Sequence, residues 1–585
     1  MALPGNVLTL YPEGVTDALS GSNAPRGSMA LLSDLIPDPT TRHLWQCRPA
    51  AVVLNNIALA LPGSGAISAI LNIGTRIYGM IASGTFAGYD QPFCYDISTN
   101  TVIPITGGTA ANLPRSPPTG GPWTPPSMAL CGSQIIISHP GYFGAVVAFG
   151  AINTLNQNAL TYQGTNTTPN ALIFPPSWVV NFNGRIFFLV NPPGQQSAAY
   201  MSDSLNALSI TNANQILTFG DNLPLTVAAG LGLSNQLIGG VVQALIIFKG
   251  VSAIYQVTGD YALGNLSVNA LNAATGTFAA NTVVSTEKGV LFMAPDGVRL
   301  IDLNARVDDP IGKDGQGITV PFINAVNPTR SNAAYNAGLY RIQMQNGAAA
   351  GNPQQEWWYD LVRDLWSGPH TTGASLTVPY KNTFICTLQS DVVGSKLFQS
   401  DQVQTGISTF VENGRQLQWQ YQTTMFPEDD AMNEFCTIET TVHIQMPPTN
   451  NLQSGWSSGW SSGFGSGDFS QMQFKFIDQN LTALDTVSVV SNTAFGSLWG
   501  VFVWGVGLWG GAADNLFPRP LQWHFPIVYR RGAILGTGLS SAILKLGEVR
   551  ARVQSLGYLQ PSLGSAASRA FILDQSVLGG NSALG

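Results

Sequence analysis

Charge is what this sequence has least of. Asp, Glu, Lys and Arg make up 10% of its 585 residues, against roughly 25% in ordinary soluble domains. Disorder calls for many charges and few apolar residues, and the 45% apolar content excludes it. A free monomer this neutral has little to keep it from sticking to itself. The composition is that of an assembly component whose surface is covered by other subunits. The 25 basic against 32 acidic residues leave −7, the wrong sign for gripping nucleic acid by its phosphates. A surface along which nucleic acid slides without sticking stays open.

Cysteine is scarce and dispersed. Cys47, Cys94, Cys131, Cys386 and Cys436 are odd in number and form no CxxC pair, which disfavours a disulfide framework and a zinc site and leaves buried thiols. Five histidines (His43, His139, His370, His443 and His524) show no HExxH spacing, and no metal or cofactor is expected. The opening MALPGNVLTLYPEG lacks the basic stretch and apolar core of a signal peptide, so folding in a cytoplasm is expected. One uncharged run, AFGSLWGVFVWGVGLWGGAA (494–513), is long enough to span a bilayer. Six of its residues are glycine, which penalises a helix. Its tryptophans, Trp499, Trp504 and Trp509, run through the middle, whereas tryptophan prefers membrane interfaces. A glycine-kinked apolar strand pair in a protein interface is the better expectation.

Helical periodicity is rare. Short apolar runs recur instead, rich in Val, Ile, Phe and Tyr and punctuated by Gly, Pro, Asn and Asp: SQIIISHPG, WVVNFNGRIFFLV, ALIIFKGVSAIYQVTGD, KGVLFMAPDGVRLIDL and LYRIQMQNG. FNGR (182–185) and PDGV (295–298) carry the Asn-Gly and Asp-Gly pairs of tight hairpins. The chain reads as all-β.

The stretch EWWYDLVRDLWSG (356–368) packs three tryptophans and three carboxylates together and invites comparison with a sugar site. Its pattern is repeated, however. FCYDISTNTVIPI, AAYMSDSLNALSI, GVRLIDLNARVDDPI, WWYDLVRDLWS and KLFQSDQVQTGIS each end a strand in an aspartate and turn through polar residues. The aspartates are Asp96, Asp203, Asp302, Asp360 and Asp401, spaced by 107, 99, 58 and 41 residues. With degenerate members in the gaps this gives six or seven units, the pattern of a β-propeller. At a strand end, a carboxylate can accept from backbone N–H groups two residues on and pin the turn. These aspartates are therefore expected to clamp blade turns, since an active site has no reason to appear five times.

APRGSMALLSDLIPDPTTRHLWQCRPAA (24–51), followed by NFNGRIFFL…AAYMSDSLN, GVLFMAPDGVRLID and YRIQM…EWWYDLVRDLWS, resembles the tail hub, or nozzle, proteins of short-tailed bacteriophages, also called packaged-DNA stabilisation proteins. The resemblance covers roughly residues 20–410 and carries no catalytic signature. It implies a ring of six copies beneath the portal and adaptor rings, with double-stranded DNA in a central channel without sequence specificity. It also implies docking of tail fibre, spike or needle proteins and residence in the virion tail. Beyond about residue 415 nothing matches. The expected organisation is an N-terminal arm (1–50), a propeller (51–415) and a C-terminal β-rich platform or propeller-closing region (416–585).

In the C-terminal region, SGWSSGWSSGFGSGDF places Trp456, Trp460 and Phe464 four residues apart. If extended, they share one face, as aromatic anchors of a partner contact would; a flexible linker is the alternative. GKDGQG (312–317) lacks the Walker spacing, and neither DDPIGKDG (308–315) nor PEDDAMNE (427–434) has the ligand pattern of an EF-hand. The pairs Asp308/Asp309 and Asp429/Asp430 read as solvated loop charges. Two other classes remain: a carbohydrate-binding or carbohydrate-cleaving propeller in which Trp357, Trp358 and Trp366 stack sugars, and a receptor-binding tail appendage.

Overall fold

The computed structural model describes residues 6–17, 28–39, 41, 43–54, 63–83, 89–106, 113–114, 126–139, 142–147, 153–157, 161–162, 165–166, 176–191, 196–235, 240–271, 273–312, 317–345, 354–388, 396–402, 410–426, 434–445, 471–490, 518–523, 527–540 and 545–557. Among these, α-helix is confined to Val320–Ile323, and the fold is all-β. Residue-by-residue alternation meets turns that only certain residues can make. In the FNGR hairpin, Asn183 and Gly184 both adopt positive φ, 50° and 71°, the backbone a two-residue type I′ turn demands. Asn413 and Gly414 do the same, at 45° and 80°, in a hairpin joining Val411–Glu412 to Arg415–Gln416.

The chain forms a β-propeller arrangement. Five sheets of four or five strands stand alone, beginning at Gly63–Ile73, Ser127–Cys131, Trp178–Phe182, Leu225–Asn235 and Ala374–Tyr380. A three-stranded sheet begins at Val284–Thr286, and a meander of four strands begins at Asn332–Asn336. The first strand of each sheet contacts the first strand of the next, and Ala374–Tyr380 contacts Gly63–Ile73 to complete the circuit. Apolar clusters lie between neighbouring sheets; one joins Ile67, Ile77 and Phe93 to Tyr380, Ile385 and Leu397 across the closure.

Five free-standing blades are fewer than the six or seven units expected. The difference has a topological cause. The 284–302 sheet has three strands, and the Asn332–His370 meander does not end at its fourth strand. It runs on through Met29–Ser33, Gln418–Thr423, Gly532–Leu539, Gln471–Asp478 and Ala483–Val490 as one nine-stranded sheet. A second, seven-stranded sheet pairs Lys545–Gly557 with Glu434–Gln445 on one side and with Asn6–Leu10 and Trp45–Cys47 on the other. The ranges 1–50 and 416–585 thus share both sheets. Val52–Val53 also pairs with Phe398–Gln399, an early strand finishing the last blade.

The largest core cluster sits where these parts meet. It takes Leu32 and Trp45 from the arm, Trp357 and Trp366 from the meander, and Trp419, Phe474 and Val549 from the C-terminal strands. At its middle Gly536 pairs with both Tyr421 and Phe474. A Cβ there would come within 2.3 Å of the tyrosine ring and 2.9 Å of the phenylalanine ring. The glycine is what lets two aromatic rings cover the central strand.

Candidate functional site

The aspartates that end blade strands are local hydrogen-bond acceptors. Asp96 accepts from the Ser98 backbone N–H at 2.9 Å and its hydroxyl at 2.6 Å. Asp302 accepts from Asn304 N–H at 2.9 Å and Arg306 N–H at 2.8 Å. Asp360 accepts from Val362 and Arg363 N–H, each at 2.9 Å. Asp203 spans a wider loop, taking the Ser209 and Thr211 hydroxyls at 2.6 Å and the Gln215 amide at 2.9 Å. Asp401 differs: it pairs with Arg341 and accepts from the Ser400 hydroxyl at 3.0 Å. Its role lies between sheets, because the guanidinium it meets comes from the preceding blade. A further acceptor escaped the sequence reading. Asp478 accepts from Asn480 N–H at 2.9 Å and Thr482 N–H at 2.8 Å, reproducing Asp302. The signal was present: IDLNARV (301–307) and IDQNLTA (477–483) align on Asp and Asn.

The tryptophans of the EWWYDLVRDLWSG stretch are core residues. Trp357 is 5% exposed, Trp358 2% and Trp366 2%, so none offers a free face to a sugar. Glu356 is buried as well and accepts from the Trp358 indole N–H at 2.8 Å and the Gln343 amide at 3.3 Å. Beside it, Arg341 stacks over Trp358 at 3.7 Å and Phe384 at 4.3 Å.

These groups adjoin a buried polar network that the sequence did not announce. Arg48 donates through Nε to Asp34 at 2.7 Å and in two-pronged fashion to Glu412 at 3.0 and 3.2 Å. Glu412 also accepts the Ala51 N–H at 3.0 Å, and Asp34 accepts the Thr371 N–H at 3.0 Å. Burial works against the Arg48 charge, but Glu412 and Asp34 outweigh it and hold its pKa well above the ordinary value. For Glu356 burial wins over Arg341 and Arg48, and its carboxyl is raised. His370 Nδ1 accepts from the Asp34 backbone N–H at 3.1 Å, so Nε2 carries the proton and donates to Ser367 Oγ at 3.1 Å. Burial, reinforced by Arg48 and Arg341, pushes its pKa well down. His370 Nδ1 also lies 3.9 Å from Asp34 Oδ1; the backbone donor already on that nitrogen keeps the contact from being an ion pair. The network fastens arm, meander and C-terminal hairpin together.

The first strands of the sheets, which line the circuit, carry no charged residue in any of their ranges. Neutral side chains stitch them across blade boundaries. Asn72 donates to the Pro379 carbonyl at 3.0 Å, Asn181 to Leu130 at 2.6 Å, Ser285 to Gly230 at 2.6 Å, and Asn336 to Lys381 at 3.0 Å.

A cleft of about 480 Å³ opens between the 284–302 sheet and the meander. Asp308 and Asp309 line one side and Asp364 the other, with Lys288 between. The adjacent aspartates do not diverge as strand neighbours would, because they sit in the loop after the Gly297–Asp302 strand. Tyr359 and Trp366 of the EWWYDLVRDLWSG stretch also contribute to its lining.

Elsewhere, His43 lies 3.6 Å from Glu13 and His443 3.4 Å from Glu548. The five cysteines are buried thiols. Among the described residues no group of three or more His, Cys, Asp or Glu is placed to hold a metal ion, and no helix is long and apolar enough to cross a membrane. Trp456, Trp460, Phe464, Trp499, Trp504 and Trp509, the 494–513 run and Asp429/Asp430 lie outside the described residues.

No protein-family model matches the chain, and no curated protein matches it. Among solved structures it is similar to the WD40 repeats of RRP9, with 9% identity and a TM-score of 0.34 over 60% of this chain and 98% of that one. It is similar to Saccharomyces cerevisiae Sqt1, with 8% identity and a TM-score of 0.34 over 60% and 99%. Trypanosoma rangeli sialidase gives 8% identity and a TM-score of 0.27 over 99% and 100%. The propeller assignment rests on the sheet order and the circuit of first-strand contacts described above.

Proposed function

We propose that this chain is a structural ring component of a short-tailed phage tail, a hub or nozzle, without a chemical activity of its own. The observation that carries the proposal is the scarcity of charge, 10% of the residues, in a chain whose fold is ordered and β-rich. Copies of the chain, six in the reading the sequence resemblance suggests, cover one another's surfaces and extend the DNA channel below the portal and adaptor. Fibre, spike or needle proteins dock on the ring, and assembly takes place in the host cytoplasm. Within this reading the propeller has seven blades, the 284–302 sheet and the Asn332–His370 meander completing the five free-standing ones.

Seven inner strands spaced about 10 Å apart enclose a ring about 22 Å across between backbones. Side chains reaching in from both sides leave about 12 Å, the width of a duplex's major groove alone. The duplex therefore runs between subunits, and the propeller axis is not the channel. An uncharged or acidic wall holds DNA by confinement and leaves it free to exit, because the counterion release that makes phosphate binding tight is missing.

The partner-contact aromatics of this reading are Trp456, Trp460 and Phe464 together with Trp499, Trp504 and Trp509. The strands flanking their segments pair directly, Gln445 with Pro518 and Gln471 with Val490, so the two segments are twin connections between the same two strand pairs. Negative-stain imaging of the purified full chain tests the function. Rings, or incorporation into tail particles that lack the protein, are expected; a monomer at high concentration that also fails to join such particles overturns it.

A further inference from the structure

We propose that the layer between the Asn332–His370 meander and the last blade, which begins at Ala374–Tyr380, is latched by a proton. Glu356 is held there as the neutral acid, paired with the Gln343 side-chain amide, and loss of its proton loosens the joint. The proposal is independent of the tail assignment. Cross-strand register puts Asn332, Gln343, Glu356 and His370 in one row of the meander. That row meets the last blade, where Asn332 Oδ1 accepts the Thr377 N–H at 2.8 Å. Other neighbouring blades share apolar clusters; this layer is polar.

Gln343 and Glu356 are each 1% exposed. Gln343 Nε2 donates to Glu356 Oε1 at 3.3 Å, and the Trp358 indole donates to the same oxygen at 2.8 Å. Left over are Glu356 Oε2 and Gln343 Oε1, both buried and both without a partner, although buried polar atoms are almost always paired. These are two acceptors on side chains already joined at their other ends. One hydrogen between them satisfies both. A carboxylic acid supplies it: Oε2–H donates to Gln343 Oε1 while Oε1 goes on accepting, and acid and amide close a ring of two hydrogen bonds. A carboxylate leaves both oxygens unpaired. Thr372 Oγ1 adjoins the same carboxyl and also lacks a partner, so it is the rival acceptor for that proton.

Charge points the same way. Arg48 is engaged by Asp34, Glu412 and the Pro49 carbonyl. Arg341 pairs with Asp401, and its remaining Nε makes no bond to Glu356. Arm, hairpin and last blade thus already set Asp34, Glu412 and Asp401 against two guanidiniums. His370 is a neutral ring engaged at both nitrogens, and burial pushes the Cys386 thiol up, keeping it neutral. The joining stretches 346–353 and 403–409 contain no charged residue, and 389–395 contains one aspartate. An ionised Glu356 would be a fourth carboxylate with no cation to answer it. Burial accordingly raises its carboxyl against the pull of Arg341 and Arg48. Opening the joint hydrates the carboxyl and releases its proton to solvent. Opening therefore becomes easier as pH rises from about 4.3 to the folded-state pKa, and no easier beyond it.

The test records infrared spectra of the purified full chain at pH 6 beside Glu356→Gln, whose amide can keep both bonds of the ring. The C=O stretch of a protonated carboxyl, which carboxylates and amides lack, is expected in the wild type and lost in the variant. No such difference overturns the proposal. Gln343→Met is expected to shift that band and Thr372→Val to leave it in place; a band that Gln343→Met does not move overturns the pair. Should Glu356→Gln fail to fold, the Gln343→Met spectrum decides alone. Hydrogen exchange at Thr377, whose N–H is held across the joint, is then compared between wild type and Glu356→Gln from pH 5 upward. The ratio of the two rates is expected to climb by up to about tenfold per pH unit until the band disappears, then level off. A flat ratio overturns the latch.

Discussion

Arg48 and Glu412, 364 positions apart in sequence, form a two-pronged ion pair that is buried on both sides. The arginine sits at the end of the arm, just after the Trp45–Cys47 strand, and the glutamate in the Asn413–Gly414 hairpin. A long-range pair of this kind holds two chain segments that local structure cannot bring together. Removing one partner leaves the other charge buried and unanswered, which costs about 3–5 kcal/mol. Glu412→Gln and Arg48→Met are each expected to destabilise the arm by that order. Limited proteolysis should then cut the arm before the blades, while the wild type resists; equal protection in variant and wild type would count against the fastening role.

His370 makes stability depend on pH. Its folded-state pKa lies well below 6.5 because burial, Arg48 and Arg341 disfavour the imidazolium. Below the unfolded pKa, near 6.5, the unfolded chain binds a proton the folded chain refuses, so stability falls as pH falls. The slope from this one group approaches about 1.4 kcal/mol per pH unit. Glu356 acts oppositely: its raised pKa removes stability as pH rises past the ordinary carboxylate value near 4.3. Between pH 7 and 5 the histidine effect should show in urea titrations of the wild type. His370→Gln should flatten that part of the curve, even if it lowers stability at pH 7.

Glycine positions in the sheets separate close packing from spare room. Gly536→Ala places a methyl 2.3 Å from Tyr421 Cε1 and is expected to cost about 1–3 kcal/mol by overpacking. At Gly230 nothing lies within 4 Å of an added Cβ. Gly230→Ala should be neutral or stabilise by about 0.4–1 kcal/mol, through the unfolded chain. Melting temperatures that fail to separate the two variants would mean that Tyr421 and Phe474 do not cover Gly536 in solution.

What could be read from sequence was whatever is local. The Asn183–Gly184 turn, the strand runs and most strand-ending aspartates are set by residues within a few positions of one another. The Arg48–Asp34–Glu412 network was invisible for the opposite reason: its members are unremarkable singly and meet only after the arm has threaded between the meander and Gln418–Thr423. The same threading hid the blade count, since a strand from residues 29–33 looks like any other short strand until its partners are known. The Trp-rich stretch is ambiguous when taken alone, because aromatic density signals burial between sheets as readily as exposure in a cleft; its repetition along the chain favours burial, and Trp357, Trp358 and Trp366 are buried. Asp478 carries the same local signal, in the match of IDLNARV with IDQNLTA, but it lies in the C-terminal strands beyond the repeating units.

Asp302, Asp360 and Asp478 each hold two backbone N–H groups of a turn at 2.8–2.9 Å. Alanine at any one of them removes two acceptor contacts worth about 0.5–1.5 kcal/mol net apiece. The exposed turn lets water replace part of that loss, so each variant should melt only mildly earlier, and by similar amounts. Trp366→Ala removes a ring that is 2% exposed and packed 5.3 Å from Phe322 and 4.9 Å from Tyr359, and should cost about 3–5 kcal/mol. If Asp360 served chemistry in place of structure, Asp360→Ala would keep or raise stability while Asp302→Ala and Asp478→Ala lowered it. Melting curves for the four variants, recorded beside a glycan-cleavage assay of each, distinguish the cases, and the expected order puts the tryptophan far below three near-equal aspartates with no cleavage in any.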